Sequence, residues 1–150
     1  MKLKIPPPLI ALTFGLLMWG VSIISDVASV ESVLIFPLSM LLLIIGLAIN
    51  VLAAMTFRAA STTMNPMKPN TATQLVNTGV YKLSRNPMYL GTLFVLSAWA
   101  IWLGNPFNVA VLLFFIAYIT TFQIIPEEKA LEVLFPVEFG SYKARVRRWI

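Results

Sequence analysis

Residues 86–126 form a run of 41 residues without a charged side chain. One continuous helix of that length would be about 60 Å long, roughly twice the hydrocarbon thickness of a bilayer. The triplet Gly104-Asn105-Pro106 near the middle of the run is a strong turn signal. The run therefore predicts a hairpin of two membrane helices, residues 88–103 and 107–125.

Two further uncharged runs lie upstream, at residues 5–25 and 32–57. Each is long enough to cross a bilayer, which takes about 20 residues. Lys2 and Lys4 would also fit a signal peptide, but no small-x-small cleavage pattern follows, so we favour a membrane span. The composition agrees, since only 11% of the residues are charged, against about 25% in a soluble domain.

The positive charges all fall on one side of this four-helix topology. That side holds both termini and the connection between the second and third helices, whereas the opposite turns carry only Asp26 and Glu31. The positive-inside rule places the basic side in the cytoplasm. We predict one domain, residues 1–150, in a bacterial or archaeal inner membrane with both termini cytoplasmic. The basic residues are Lys2, Lys4, Arg58, Lys68, Lys82, Arg85, Lys129, Lys143, Arg145, Arg147 and Arg148.

The sequence contains no cysteine and no histidine. This excludes disulfides, thiol nucleophiles, zinc sites of the Cys/His kind and imidazole acid–base catalysis. We expect no metal site. The net charge of +5 is better explained by basic loops beside membrane lipids than by a nucleic-acid partner.

Polar segments frame the last two predicted helices. Prolines and threonines in residues 58–86 rule out a continuous span, and a connection of this length is usually functional or disordered. After Pro126 the charges return, which predicts a helix leaving the membrane and a break near Pro136 and Gly140. We expect the basic end to lie on anionic headgroups, with Trp149 as its anchor.

Antiparallel packing of the hairpin would bring residues 86–89 beside residues 123–128. An amide, a phenol and carboxylates, with Arg85 close by, would then line a pocket at the membrane edge that suits a zwitterionic ligand. Ordinary interpretations stay open: a headgroup-facing Arg85, a solvated Glu127-Glu128 pair and interfacial tyrosines. Asn50, inside the second run, fits either a hydrogen bond to a neighbouring helix or a pocket lining.

Two blocks of sequence resemble the isoprenylcysteine carboxyl methyltransferases and the related phospholipid methyltransferases. The first block is residues 75–81, LVNTGVY, followed by residues 85–91, RNPMYLG. Two blocks in this order, flanking a hairpin, make a specific signal that covers about residues 62–150. The second block comprises Glu127, Glu128, Leu131, Phe135, Tyr142, Val146, Arg148 and Trp149.

The resemblance implies a small prokaryotic membrane methyltransferase that uses S-adenosylmethionine and acts on a lipidic or prenylated acceptor. It implies an all-α polytopic fold with four transmembrane helices, a cytoplasmic cofactor-binding loop and a C-terminal interfacial helix. No catalytic residue is assigned, because methyl transfer depends on positioning and a desolvated nucleophile more than on acid–base groups. The cofactor-binding residues implied are Thr73, Gln74, Leu75, Val76, Tyr81, Arg85, Asn86, Pro87, Met88, Tyr89 and Glu127.

The chain departs from the family pattern at several positions, including Asn86 and Gln123. Asn86 stands where histidine is common, and Gln123 stands where eukaryotic members carry a substrate-binding arginine. We expect Gln123 to bind the substrate, and a neutral or amine acceptor remains open. Two alternatives also remain: an NADPH-dependent sterol or steroid reductase, whose family has a similar first block, and a non-catalytic membrane partner.

Overall fold

The computed structural model describes residues 5–25, 33–60 and 74–150. Within these ranges the chain is helical and contains no strand, which confirms the all-α prediction. Thr73 and residues 61–72 of the predicted loop lie outside the described residues. The elements are α1 (Pro7–Ile24), α2 (Ile35–Ala59), a 3₁₀ turn (Gly79–Lys82), α3 (Pro87–Leu103), α4 (Asn108–Ile119), a π-helical turn (Thr120–Ile124), α5 (Ile125–Leu134) and α6 (Pro136–Arg145).

Three helical stretches are long and apolar enough to cross a membrane. They are α1 with 18 residues, α2 with 25 residues, and the 27 residues from Asn108 to Leu134. The remaining apolar helix, α3, has 17 residues. Its length is about 26 Å, slightly less than a bilayer core. The structure thus supports three spans by length and composition, and the fourth span stays a prediction.

Contacts between helix ends establish an up-and-down order. Gln123, at the end of the α4 stretch, donates a hydrogen bond to the carbonyl of Ile5, which precedes α1. At the opposite end, the carboxamide of Asn105 donates to the hydroxyl of Ser25. We call the end that holds Ile5 and Gln123 the charged end, because every Lys and Arg in the described ranges lies there.

Helices α2 and α3 meet at two glycines. A Cβ added to Gly46 would lie 2.6 Å from the carbonyl oxygen of Gly91, and one added to Gly91 would lie 2.7 Å from Nδ2 of Asn50. Small residues permit this close approach of two backbones in a membrane bundle. Asn50 therefore packs on the neighbouring helix, beside the glycine contact.

Polar side chains hold α1 against the bundle along its whole length. Besides the Gln123 bond to Ile5, Nε1 of Trp99 donates to the carbonyl of Gly15 at 3.1 Å, and Nδ2 of Asn108 donates to the hydroxyl of Ser22 at 3.1 Å. Such bonds replace water contacts that the bilayer cannot provide. Between them lies a core of buried apolar side chains that includes Phe14, Met18, Phe115 and Ile119.

The predicted turn and the predicted helix break are both present, with one difference. Gly104 ends α3 in the left-handed conformation at φ 64°, as the triplet with Asn105 and Pro106 predicts. The break after α5 falls at Phe135, just before Pro136. Gly140, the other expected break, lies inside α6, because Pro136 already starts a new helix there and a single glycine is tolerated in its interior.

The second helix of the hairpin, predicted to span residues 107–125, does not end at Ile125. The chain continues through the π-helical turn into α5, although Pro126 follows directly. A proline ring clashes with the carbonyl four residues earlier in a regular α-helix. The wider π-helical turn relieves that clash, so the helix runs on to Leu134 instead of stopping.

The glycine contact predicts a position-specific effect on stability. Gly91→Ala should lower the free energy of unfolding by about 1–3 kcal/mol, because the added methyl group meets the α2 backbone and Asn50. Thermal unfolding in detergent measures this. Gly20→Ala is the matched control, because a Cβ at Gly20 meets nothing within 4 Å. Equal melting temperatures for the two variants would contradict the close packing of α2 on α3.

Candidate functional site

A tyrosine and a glutamate join the two arms of the hairpin at the charged end. The hydroxyl of Tyr89, in the first turn of α3, donates to Oε1 of Glu127, in the first turn of α5, at 2.5 Å. Tyr89 is buried and Glu127 is half-buried. No lysine or arginine of the described ranges forms an ion pair with Glu127. The site therefore presents a carboxylate that is shielded from water and lacks a cationic partner.

The neighbouring carboxylate has the opposite environment. Glu128 binds two guanidinium groups: Nη2 of Arg85 lies 2.8 Å from Oε1, and Nη2 of Arg148 lies 2.7 Å from Oε2. The side chains of Arg85 and Glu128 are each 8% exposed. This hydrogen bonding to Glu128 raises the pKa of the Arg148 guanidinium. Two positive charges share one negative charge, so the cluster keeps an excess of one positive charge.

The last five residues cross the start of α3, and we call residues 146–150 the C-terminal strap. Nη1 of Arg85 donates to the carbonyl of Val146 at 2.6 Å, and its backbone N–H donates to the carbonyl of Arg147 at 3.0 Å. Nδ2 of Asn86 donates to the carbonyl of Arg148 at 3.0 Å. Arg85 and Asn86, at the start of α3, thus donate hydrogen bonds to the backbone carbonyls of the C-terminal strap.

Trp149 fixes the C-terminal strap to the inside of the bundle. Its indole N–H donates to the hydroxyl of Thr120 in the π-helical turn at 3.2 Å, and its ring packs against the main apolar core. The prediction of Trp149 as a membrane anchor was therefore wrong, since the ring is turned inward. The exposed apolar side chains at this end include Leu83, Val133, Val137 and Ile150.

A second apolar cluster forms the floor beneath the strap. The hydroxyl of Tyr142, in α6, donates to the carbonyl of Tyr81 at 2.7 Å. The rings of Tyr81 and Phe57 meet edge to face, 5.3 Å apart. Burial raises the pKa of Tyr81 and of Tyr142, so both phenols are neutral. The turn that carries Tyr81 starts at Gly79, whose φ of 57° favours glycine.

The structure brings together five of the predicted site residues. Tyr81, Arg85, Asn86, Tyr89 and Glu127 lie around the junction of the 3₁₀ turn, α3 and α5. Arg85 and Asn86 donate hydrogen bonds to the C-terminal strap, and Arg85 also donates to Glu128, so both side chains are engaged within the protein. We therefore expect them to shape the site from outside.

The other predicted residues lie further out. Leu75 and Val76 pack into the cluster around Tyr81, while Gln74 is exposed at the start of the described segment. Pro87 is buried at the first position of α3, and Met88 is exposed on its outer face. These positions do not place Gln74 or Met88 near Glu127.

Three residues of this site had no predicted role: Glu128, Tyr142 and Arg148. Tyr142 and Arg148 were noticed as part of the second block, but their partners depend on the return of the strap to α3. For Glu128 a signal existed. Helix geometry turns consecutive side chains by about 100°, so Glu127 and Glu128 cannot face the same partner. The sequence does not say which of the two faces inward to Tyr89.

Gln123 is fully inside the molecule, in the π-helical turn and one helical turn before Glu127. Its side chain is 2% exposed and Nε2 lies 2.9 Å from the carbonyl of Ile5. Its Oε1 has no hydrogen-bond partner in the described residues. Gln123 thus has an unused acceptor near the Tyr89–Glu127 pair.

An apolar cleft of about 380 Å³ opens at the opposite end of the bundle. It lies between the start of α2, the end of α3 and the start of α4. The pocket predicted from the sequence is lined by residues 86–89 and 123–128 at the charged end, so this cleft is a different one. Its lining includes Ile35, Ala100, Ile101, Asn108 and Leu112.

Comparison with known proteins identifies the family. The family model described as phospholipid methyltransferase matches residues 34–137. The chain belongs to this family. The match includes α2, the 3₁₀ turn, the hairpin and α5, which together carry Tyr81, Arg85, Tyr89 and the two glutamates. The resemblance seen in the sequence is thereby confirmed.

Two curated relatives match in part. A Haemophilus influenzae protein described as uncharacterized is 46% identical over 63 residues, which is 42% of this chain and the whole of that protein. The protein-S-isoprenylcysteine O-methyltransferase of Saccharomyces cerevisiae is 36% identical over 72 residues, 48% of this chain and 30% of the yeast protein. No solved structure matches the chain significantly.

The ion cluster predicts a large loss of stability when its carboxylate is removed. Glu128→Ala should lower the free energy of unfolding by about 3–5 kcal/mol, because the buried guanidinium of Arg85 would lose the carboxylate that balances its charge. Thermal unfolding in detergent is the measurement. Glu138→Ala is the control, since Glu138 is exposed and forms no ion pair with any residue that the structure describes. If both variants melted together, the cluster would not hold the strap.

Proposed function

We propose that this chain is an integral membrane methyltransferase that binds S-adenosylmethionine at the charged end and methylates a lipidic or prenylated acceptor. The observation that carries the proposal is Glu127, a shielded carboxylate that is hydrogen-bonded by Tyr89 and has no cationic partner within residues 5–25, 33–60 and 74–150. It sits in the part of the chain that matches the phospholipid methyltransferase family.

The charges around the site fit this cofactor. S-adenosylmethionine has an ammonium and a sulfonium, which are positive, and a carboxylate, which is negative. Glu127 can meet a positive group, and the excess positive charge of Arg85, Glu128 and Arg148 favours a negative group nearby. The neutral rings of Tyr81 and Tyr89 provide apolar, polarisable walls for a flat adenosine or a cation.

The bound cofactor would supply a methyl group on sulfur, which passes to a nucleophile as the carbon–sulfur bond breaks. The protein has to orient the two reactants in line and keep water out. The C-terminal strap and Tyr142 enclose the site from the water side. Tyr89 holds the Glu127 carboxylate in one orientation, which fixes the position of whatever cation it binds.

A lipidic acceptor follows from the surroundings of the site. Tyr89 lies in the first turn of the short apolar helix α3, and Glu127 lies in the last third of the candidate membrane span Asn108–Leu134. An acceptor with long alkyl chains already lies at this depth, whereas a soluble acceptor would gain nothing from the apolar bundle. We therefore propose that the acceptor enters sideways from the bilayer while the cofactor arrives from the water side.

Binding experiments test the cofactor and separate it from the reductase alternative. Titration calorimetry in detergent should show binding of S-adenosylmethionine or its demethylated product and none of NADPH. Glu127→Ala and Tyr89→Phe should each weaken this binding about ten- to a hundredfold, the effect of losing a hydrogen bond to a charged group.

Glu132→Ala is the matched control for these variants, because Glu132 is on the same helix but exposed and paired with Lys143. Binding of NADPH alone would support a reductase, and binding of neither cofactor would support a non-catalytic partner. If Glu127→Ala bound the cofactor normally, the assignment of this carboxylate would be wrong.

The proposed orientation puts the charged end in the cytoplasm. The chain has no cysteine, so single cysteines can report topology directly. Phe107→Cys, at the exposed turn before α4, should react with an impermeant thiol reagent applied to intact cells, and Lys82→Cys should react only after lysis. Labelling of Lys82→Cys from outside would reverse the orientation.

A further inference from the structure

We propose that the cleft at the end of the bundle opposite the charged end binds a neutral single-chain lipid whose head carries a hydroxyl group. The cleft lies between the start of α2, the end of α3 and the start of α4, and its volume is about 380 Å³. Tyr89 and Glu127 do not line it, so the proposal does not depend on the methyltransferase assignment. It rests on the shape and chemistry of the cleft and on one atom of Asn108.

The cleft is elongated along the helices. On α3 its lining extends from Gly104 back to Ser97, seven residues earlier, which is about 10 Å of helix. Its walls are mainly apolar, with Ala100 and Ile101 on α3 and Leu112 on α4. A pocket of this volume with apolar walls and few polar groups is typical of a ligand site, and its place near the lower end of the usual size range suits one alkyl chain better than two.

Asn108 supplies a polar group at one end of this cleft. It is the first residue of α4, it lines the cleft, and its side chain is 0% exposed. Its Oδ1 has no hydrogen-bond partner in the part of the chain that the structure describes. A buried acceptor without a partner destabilises a protein, and native structures contain few of them. A ligand that donates a hydrogen bond to this oxygen would remove that cost.

Ser22 determines the orientation of the Asn108 carboxamide. The hydroxyl of Ser22 donates its proton to the carbonyl of Met18 at 2.9 Å, so Ser22 can only accept from Asn108. The group that lies 3.1 Å from the Ser22 hydroxyl is therefore the amide nitrogen. The nitrogen is directed toward α1, and the oxygen is on the other arm of the carboxamide. Because no described residue of α1 lines the cleft, the oxygen is directed to the side of Asn108 on which the cleft lies.

The lining selects a neutral head group that can donate. None of the ten described residues that line the cleft is charged. An ammonium head would find no carboxylate among them, and a carboxylate or phosphate head would place a second acceptor against Oδ1. A hydroxyl is neutral and has a proton to donate. Since Asn108 follows the turn at the end of the helices, the hydroxyl would lie near the membrane surface and the chain would run inward past Leu112.

Photolabelling in phosphatidylcholine vesicles tests the proposal. The full chain would be exposed to hexadecanol that carries a diazirine in mid-chain, or to the methyl ether of the same compound, which keeps the chain but has no proton to donate. We expect the alcohol to label the cleft residues of α3 and α4 at a concentration roughly tenfold lower than the ether, the effect of one hydrogen bond to a buried acceptor. Mass spectrometry of the peptides locates the label.

Two variants test the acceptor and the cleft separately. Asn108→Leu removes the acceptor, so the alcohol and the ether should label it equally, and thermal unfolding checks that it folds. Val109→Phe adds bulk at an exposed position of the lining and should weaken labelling by both probes severalfold. Leu113→Phe is its control, because Leu113 is equally exposed one turn later and does not line the cleft.

Two results would overturn the proposal. Equal labelling of the wild type by the alcohol and the ether would show that water or another group already satisfies Oδ1. Labelling that falls mainly on peptides outside the cleft, or that Val109→Phe and Leu113→Phe reduce equally, would show that the cleft does not hold the chain.

Discussion

Glu128 holds the charged end of the molecule together. One buried carboxylate binds a guanidinium from the segment before α3 and another from the C-terminal strap. Arg85 and Glu128 are both buried, so a charge left unpaired on either would be costly, whereas Arg148 is 36% exposed and adds a further bond to the carboxylate. The strap, the start of α3 and α5 are thereby fixed relative to one another. Because Tyr89 is on α3 and Glu127 is on α5, this cluster also fixes the relative position of these two residues.

The two glutamates are consecutive on α5 but have different environments. Glu128 is neutralised by arginines and stabilises the fold, whereas Glu127 is hydrogen-bonded by a phenol and forms no ion pair with the residues that the structure describes. Residue type and sequence position are nearly the same for both. Their difference comes from the direction in which each side chain leaves the helix, together with the elements that lie in that direction.

Much of the fold could be predicted from the uncharged runs. The 41 residues without charge and the Gly104-Asn105-Pro106 triplet are sufficient for the hairpin, and the hairpin is sufficient to bring Tyr89 close to Glu127. The strap could not be predicted, since its bonds go from Arg85 and Asn86 to backbone carbonyls about 60 residues away and carry no sequence pattern. Trp149 was misplaced for the same reason, because an aromatic residue near a basic end is typical of a membrane anchor.

The contact between Gly46 and Gly91 limits where an alkyl chain could lie between the helices. At this level the backbones of α2 and α3 touch, and no space remains for an alkyl chain between them. Gly91 is two residues from Tyr89, so the seam is sealed close to the tyrosine–glutamate pair. A lipid tail could therefore not reach the pair through this seam. The close packing of α2 on α3 makes this flank of the bundle a closed wall beside the Tyr89–Glu127 pair.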